Sequence, residues 1–151
     1  MRVRDLMQPD VVTLRSADTL DLADDIMRLG RIRHLPVVDA GGRVVGILSQ
    51  RDLFRAALSS LLQLGRRAEQ EFLAKVPVGA AMTPGVFTIG PDASVRSAVR
   101  LMLDRKIGCL PVVADGKLIG LLGESDCLRH LEIVLDIVHD KGLLPELPAA
   151  S

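Results

Sequence analysis

The stretch Ile32-Arg33-His34-Leu35-Pro36-Val37-Val38 returns 75 residues later as Ile107-Gly108-Cys109-Leu110-Pro111-Val112-Val113. Working outward at that spacing, Met27 meets Met102, Ala23 meets Ala98, Thr13 meets Thr88, Val11 meets Val86, and Met7-Gln8-Pro9 meets Met82-Thr83-Pro84. Residues 7–41 and 82–116 share 12 identities over 35 positions. Past Gly41-Gly42 the spacing shortens to 74, and Gly46, Leu48, Asp52 and Arg55 then meet Gly120, Leu122, Asp126 and Arg129. A deletion of one residue belongs in a turn, so the repeat and the turn support each other. A self-similar period of this kind marks one structural unit used twice.

Each copy reads as β-α-β-β-α. In the first, Val11–Leu14 is expected as a short strand. A helix follows from about Thr19 to Leu29, because Leu20, Ala23 and Met27 recur on one face, with Ser16, Asp18 or Thr19 available as cap. Leu35–Val38 and Arg43–Leu48 read as strands joined by the hairpin signal Asp39-Ala40-Gly41-Gly42. From about Gln50 a second helix carries Leu53, Phe54, Ala57, Leu58, Leu61 and Leu62, a stripe expected to be buried. The second copy repeats this with Val86–Ile89, Ser94–Leu103, Leu110–Val113, Lys117–Leu122 and a helix from about Ser125 to His139. The divisions expected are residues 1–62, a helical connection over 63–77 that could break at Gly65, residues 78–139, and a tail over 140–151 with little regular structure. A three-stranded sheet with helices on one face leaves the other face bare, so the two sheets are expected to pack together about a pseudo-twofold. That arrangement leaves two related clefts between the copies.

Composition removes several function classes. The 19 basic and 19 acidic residues cancel, which removes the electrostatic signature of a nucleic-acid or anionic-membrane binder. Aromatic residues are 2% of the chain, too few for a base-stacking platform. No run approaches the roughly 20 apolar residues of a membrane span, and the first ten residues do not read as a signal peptide. Cys109 and Cys127 form no CxxC pair, so a reducing, cytoplasmic setting is expected. With His34, His130 and His139 they show no zinc spacing. There is no P-loop, no GxSxG and no HExxH; Gly116-x-x-x-Gly120-x-x-Gly123 lacks the dinucleotide spacing. A non-catalytic protein is expected.

These elements, found in order and twice, resemble the CBS domain, the module named after cystathionine β-synthase, and the pair resembles a Bateman module. The resemblance rests on Met7-x-Pro9 and Met82-x-Pro84, on Leu35-Pro36-Val37-Val38 and Leu110-Pro111-Val112-Val113, and on two closing segments. Those are Gly46-Ile47-Leu48-Ser49-Gln50-Arg51-Asp52 and Gly120-Leu121-Leu122-Gly123-Glu124-Ser125-Asp126. Little of the chain lies outside the pair, so no separate effector domain is expected in it. The resemblance implies an α+β fold, and an adenosine-type ligand (AMP, ADP, ATP or S-adenosylmethionine) held between the copies as a regulatory ligand. It also implies homodimerisation and a regulated partner protein.

The closing Ser-x-x-Asp carries the ligand motif of that resemblance. A carboxylate accepts hydrogen bonds from both hydroxyls of a ribose, while a Ser hydroxyl and a helix N-terminus suit phosphate. The same spacing is a capping box that needs no ligand. Ser49 and Asp52 fit both readings, which can coexist. The resemblance implies that the first cleft uses Ser49, Asp52, Arg33, His34, Ile47, Phe87 and Ile107, with Arg33 offering a planar fork for phosphate. The second is expected to use Asp126, Gly123, Leu121, Cys109, Val12 and Ile32. Gly123 stands where Ser49 stands, so the second cleft lacks the hydroxyl; Ser125 is expected as a helix cap instead. The alternative function is a dimerising interaction scaffold whose ligand binding has been lost.

Overall fold

The computed structural model describes residues 1–143; within the long helix, the side chains at 59–66 and 68–69 lie outside the described set. The expected tail beyond 143 also lies outside it.

The elements run β1 (Gln8–Pro9), α1 (Leu20–Gly30), β2 (His34–Val38), β3 (Val44–Ser49), α2 (Gln50–Leu73), α3 (Val78–Ala81), β4 (Thr83–Pro84), α4 (Val95–Arg105), β5 (Cys109–Ala114), β6 (Lys117–Gly123) and α5 (Glu124–Asp140), preceded by a 3-10 turn at Val3–Asp5. They form two three-stranded sheets, ordered β2-β3-β4 and β1-β6-β5. Each sheet is therefore completed by the opening segment of the other copy. Thr83 and Pro84 pair with Ile47 and Gly46, and Gln8 and Pro9 pair with Leu121 and Gly120. The repeat in sequence and the unit of packing are different things.

Two glycines make this exchange possible. A Cβ at Gly46 would lie 2.6 Å from Met82 Sδ and 2.9 Å from the Thr83 carbonyl oxygen. At Gly120 it would lie 2.8 Å from the Gln8 carbonyl oxygen and 2.9 Å from Met7 Sδ. Only a residue without a side chain lets the crossing strand approach this closely.

The cores follow the exchange. One contains Leu14, Leu20, Ala23, Met27, Leu35, Val37, Leu48, Leu53, Ala57, Leu73 and, from beyond the first copy, Val78. The other contains Ala98, Met102, Leu110, Val112, Leu122 and, from the first residues of the chain, Val3. The helical face read from Leu20, Ala23 and Met27 is buried as expected. Hairpins β2–β3 and β5–β6 pair over Leu35↔Leu48 and Leu110↔Leu122. Pro36 and Pro111 are tolerated because β2 and β5 are edge strands.

Several expectations are corrected. Val11–Leu14 and Val86–Ile89 are not strands: only Leu14 and Ile89 bridge, to Val37 and Val112. Leu14 uses its amide on the Pro36 carbonyl and its own carbonyl on the Val38 amide, after which the chain turns away. α2 runs unbroken through Gly65, so the connection is the second half of one helix. Of the stripe on α2, Leu53 and Ala57 are buried, but Phe54 and Leu58 are exposed; Leu61 and Leu62 lie outside the described side chains. The i, i+4 set faces the sheet, and its i+1 neighbours face outward.

Candidate functional site

β3 ends at Ser49, and α2 begins one residue later with Ser49 as its N-cap. The Gln50 amide donates to the Arg33 carbonyl at 2.8 Å, which ties the start of α2 to the start of β2. The same bond recurs in the second copy, from the Glu124 amide to the Gly108 carbonyl at 2.9 Å. Each helix start is thereby held beside the residue that precedes its Leu-Pro-Val-Val strand.

At the first helix start the capping box is complete. The Ser49 amide and hydroxyl both donate to Asp52 Oδ2, each at 2.8 Å, and the Asp52 amide donates to Ser49 Oγ at 3.1 Å. No described residue donates to Asp52 Oδ1. The Ser49 hydroxyl spends its one proton on Asp52, so it could serve a phosphate only by turning that proton away; meanwhile it can still accept. Asp52 is half-buried, Ile47 lies buried on the same strand, and Arg33 is exposed beside them.

His34 stands at the seam of the copies. It is half-buried, and a Cβ at Gly108 would lie 3.5 Å from His34 Cε1 and 3.6 Å from the Glu124 carboxyl carbon. Burial, and then the Arg33 charge, hold its imidazole below the usual histidine range; Glu124 and Asp52 oppose them more weakly. His34, Arg33, Asp52, Glu124 and Gly108 thus share one electrostatic neighbourhood drawn from both copies.

Ile107 and Phe87 were also expected at the first cleft. Ile107 packs against the second core. Phe87 is exposed, and its ring lies under the Arg105 guanidinium at 4.7 Å. That geometry is a cation–π contact within the second copy.

The second cleft is built differently. Asp126 is only 8% exposed, the one buried charged group among the described residues. Its Oδ2 accepts from the Gly123 amide at 2.9 Å and its Oδ1 from Gln8 Nε2 at 3.0 Å. Gly123 is the N-cap of α5, so Ser125 is not the cap, a correction; it sits inside the first turn. Leu121 is half-buried and pairs with Gln8. Cys109 is buried opposite Gly123, and burial pushes its thiol up to about 12. Val12 is exposed and Ile32 packs against the first core. A separate recess of about 270 Å³ lies between the copies, lined by Asp10, Val11, Thr13, Val38, Gly42, Leu118 and Ile119. Neither Asp52 nor Asp126 lines it. No group of metal-ligating side chains forms among the described residues.

Two participants were missed in the sequence. Gln8 and Glu124 each sit inside a quoted motif and differ from their counterparts, Thr83 and Gln50. That difference between copies was the available signal.

With this geometry in view, the comparison with known proteins is direct. The CBS domain family matches residues 3–59 and 78–133. The chain belongs to the CBS-domain family, as a tandem pair. It is 35% identical over 137 residues to a CBS domain-containing protein of Dictyostelium discoideum, covering 90% of this chain and 94% of that one. Among solved structures, CBSX2 in complex with AMP is 31% identical with a TM-score of 0.72, over 89% of this chain and 98% of that one. The CBS domain pair of protein MJ0100, in complex with 5′-methylthioadenosine and S-adenosyl-L-methionine, is 27% identical with a TM-score of 0.74, again over 89% and 98%. The chain also matches enzymes, but over a small part of each. It spans 23% of a homoserine O-acetyltransferase from Methanohalophilus mahii and 21% of an inosine-5′-monophosphate dehydrogenase from Korarchaeum cryptofilum. No helix among the described residues is long and apolar enough to cross a membrane.

Proposed function

We propose that this CBS pair is a non-catalytic regulatory module that binds an adenosine-type ligand at the Ser49–Asp52 cleft and passes its occupancy to a partner protein. One observation carries the reading. Asp52 is a half-buried carboxylate at a helix start, with Oδ2 fixed by Ser49 and Oδ1 unclaimed by any described residue. An oriented carboxylate with acceptor capacity to spare suits the vicinal hydroxyls of a ribose. Ile47 supplies apolar surface on the same strand, and Arg33 supplies positive charge at the rim. The relatives solved with AMP and with S-adenosyl-L-methionine support the ligand class. A thermal-shift panel with AMP, ADP, ATP and S-adenosylmethionine tests it: one of them raises the melting temperature, and Asp52→Ala abolishes the rise. A panel without any response in ligand-stripped protein overturns the reading.

The signalling surface in this reading is a homodimer interface. Leu128, Leu131, Leu135 of α5 and Phe54, Leu58 of α2 are apolar and exposed, the kind of surface that association covers. Sedimentation should give a dimer that Leu131→Glu dissociates. The second reading, a scaffold without ligand, draws on the second cleft, where Gly123 removes the hydroxyl and Asp126 is engaged on both oxygens. Partner capture that is indifferent to every adenosine ligand would favour it.

A further inference from the structure

The two clefts differ by more than the missing hydroxyl. Gln8 and Thr83 occupy the same place in the two sheets, opposite Leu121 and Ile47 respectively. Gln8 reaches the helix start and donates its amide to Asp126 Oδ1 at 3.0 Å. Because a carboxylate only accepts, the amide nitrogen must be the atom that faces it. Thr83 has a shorter side chain, and both described donors to Asp52 Oδ2, a backbone amide and a hydroxyl, belong to Ser49. Asp126 is accordingly buried with both oxygens engaged, while Asp52 is half-buried with one.

We propose that Gln8 is a built-in competitor: its amide takes the position a ribose hydroxyl would take on Asp126 and keeps the second cleft shut, so the pair has one open adenosine site. The inference rests on the reading of Asp52 given above. It assigns the occupant of the second cleft to the chain's own opening segment, carried there by the exchange of β1. The backbone of Gln8 is held by its pairing with Leu121, yet the residue is solvent-exposed.

The test is the number of ligands bound per chain, by calorimetry on full-length, ligand-stripped protein with AMP and with S-adenosylmethionine as probes. Wild type binds one equivalent, lost in Asp52→Ala. Gln8→Thr, which copies the first cleft, gains a second equivalent that survives Asp52→Ala and disappears with Asp126→Ala. Gln8→Ser is the companion variant should Gln8→Thr fold poorly, judged by its urea midpoint. The proposal is overturned if both Gln8 variants bind no more than wild type, if the extra binding persists without Asp126, or if wild type already binds two equivalents. Should wild type bind nothing while Gln8→Thr binds one Asp126-dependent equivalent, the reading of the first cleft falls and the competitor stands. If neither binds, both fall.

Discussion

Replacing Gly46 by alanine tests the strand exchange on which the whole arrangement depends. The new methyl carbon would sit 2.6 Å from Met82 Sδ and 2.9 Å from the Thr83 carbonyl oxygen. The sulfur can move, since a methionine side chain is flexible. The carbonyl cannot move without disturbing the pairing of Gly46 with Pro84 and Ile47 with Thr83. Overpacking of this kind costs about 1–3 kcal/mol, and each weakened ladder bond adds about 0.5–1.5 kcal/mol. A loss of about 2–4 kcal/mol is expected, which for a chain of this size lowers the melting temperature by about 5–15 °C. The assay is urea denaturation followed by circular dichroism, with Gly90→Ala as control. Nothing lies within 4 Å of a Cβ at Gly90, so that variant should stay within about 0.5 kcal/mol of wild type. If Gly46→Ala is as stable as Gly90→Ala, β4 does not cross as described.

Three further outcomes are expected. Ser49→Ala should destabilise the fold by about 1 kcal/mol through loss of the α2 cap, whereas Ser49→Gly should cost only a few tenths; equal losses in urea midpoints would contradict the capping geometry. His34 is held below its ordinary value, so the unfolded chain binds the proton more readily than the folded one. Stability contributed by the neutral imidazole is complete above the unfolded value near 6.5 and declines as pH falls through it, and His34→Asn should flatten that part of the melting-temperature profile. Cys109, with its thiol pushed up to about 12 and buried, should resist a disulfide reagent at pH 8 until the protein is unfolded; rapid labelling of the native protein at Cys109 would refute that environment.

Much of the fold could be read from the chain because its signals are local. Leu20, Ala23 and Met27 mark a helix face by spacing alone, and Asp39-Ala40-Gly41-Gly42 marks a hairpin by turn chemistry. Ser49 and Asp52 were legible as a helix start for the same reason. The exchange of β1 and β4 was not legible, because a strand of two residues has no period and its partner is remote in sequence. The repeat even pointed the other way, since it placed Met7-Gln8-Pro9 with the first copy. The stripe on α2 misled for a different reason: Phe54 and Leu58 carry the same apolar signature as Leu53 and Ala57, and periodicity cannot say which surface covers them. Gln8 was missed because its role needs the exchange first. Only when β1 lies beside β6 does its amide reach Asp126.

The central claim is that Asp52 receives the sugar of an adenosine-type ligand. The measurement that meets it most directly is a crystal structure of the chain grown with AMP. The account predicts the ribose hydroxyls within hydrogen-bonding distance of the Asp52 carboxylate, and the Gln8 amide still on Asp126. Ligand bound at Asp126 with the Asp52 cleft empty, or confined to the recess lined by Asp10 and Ile119, would contradict it.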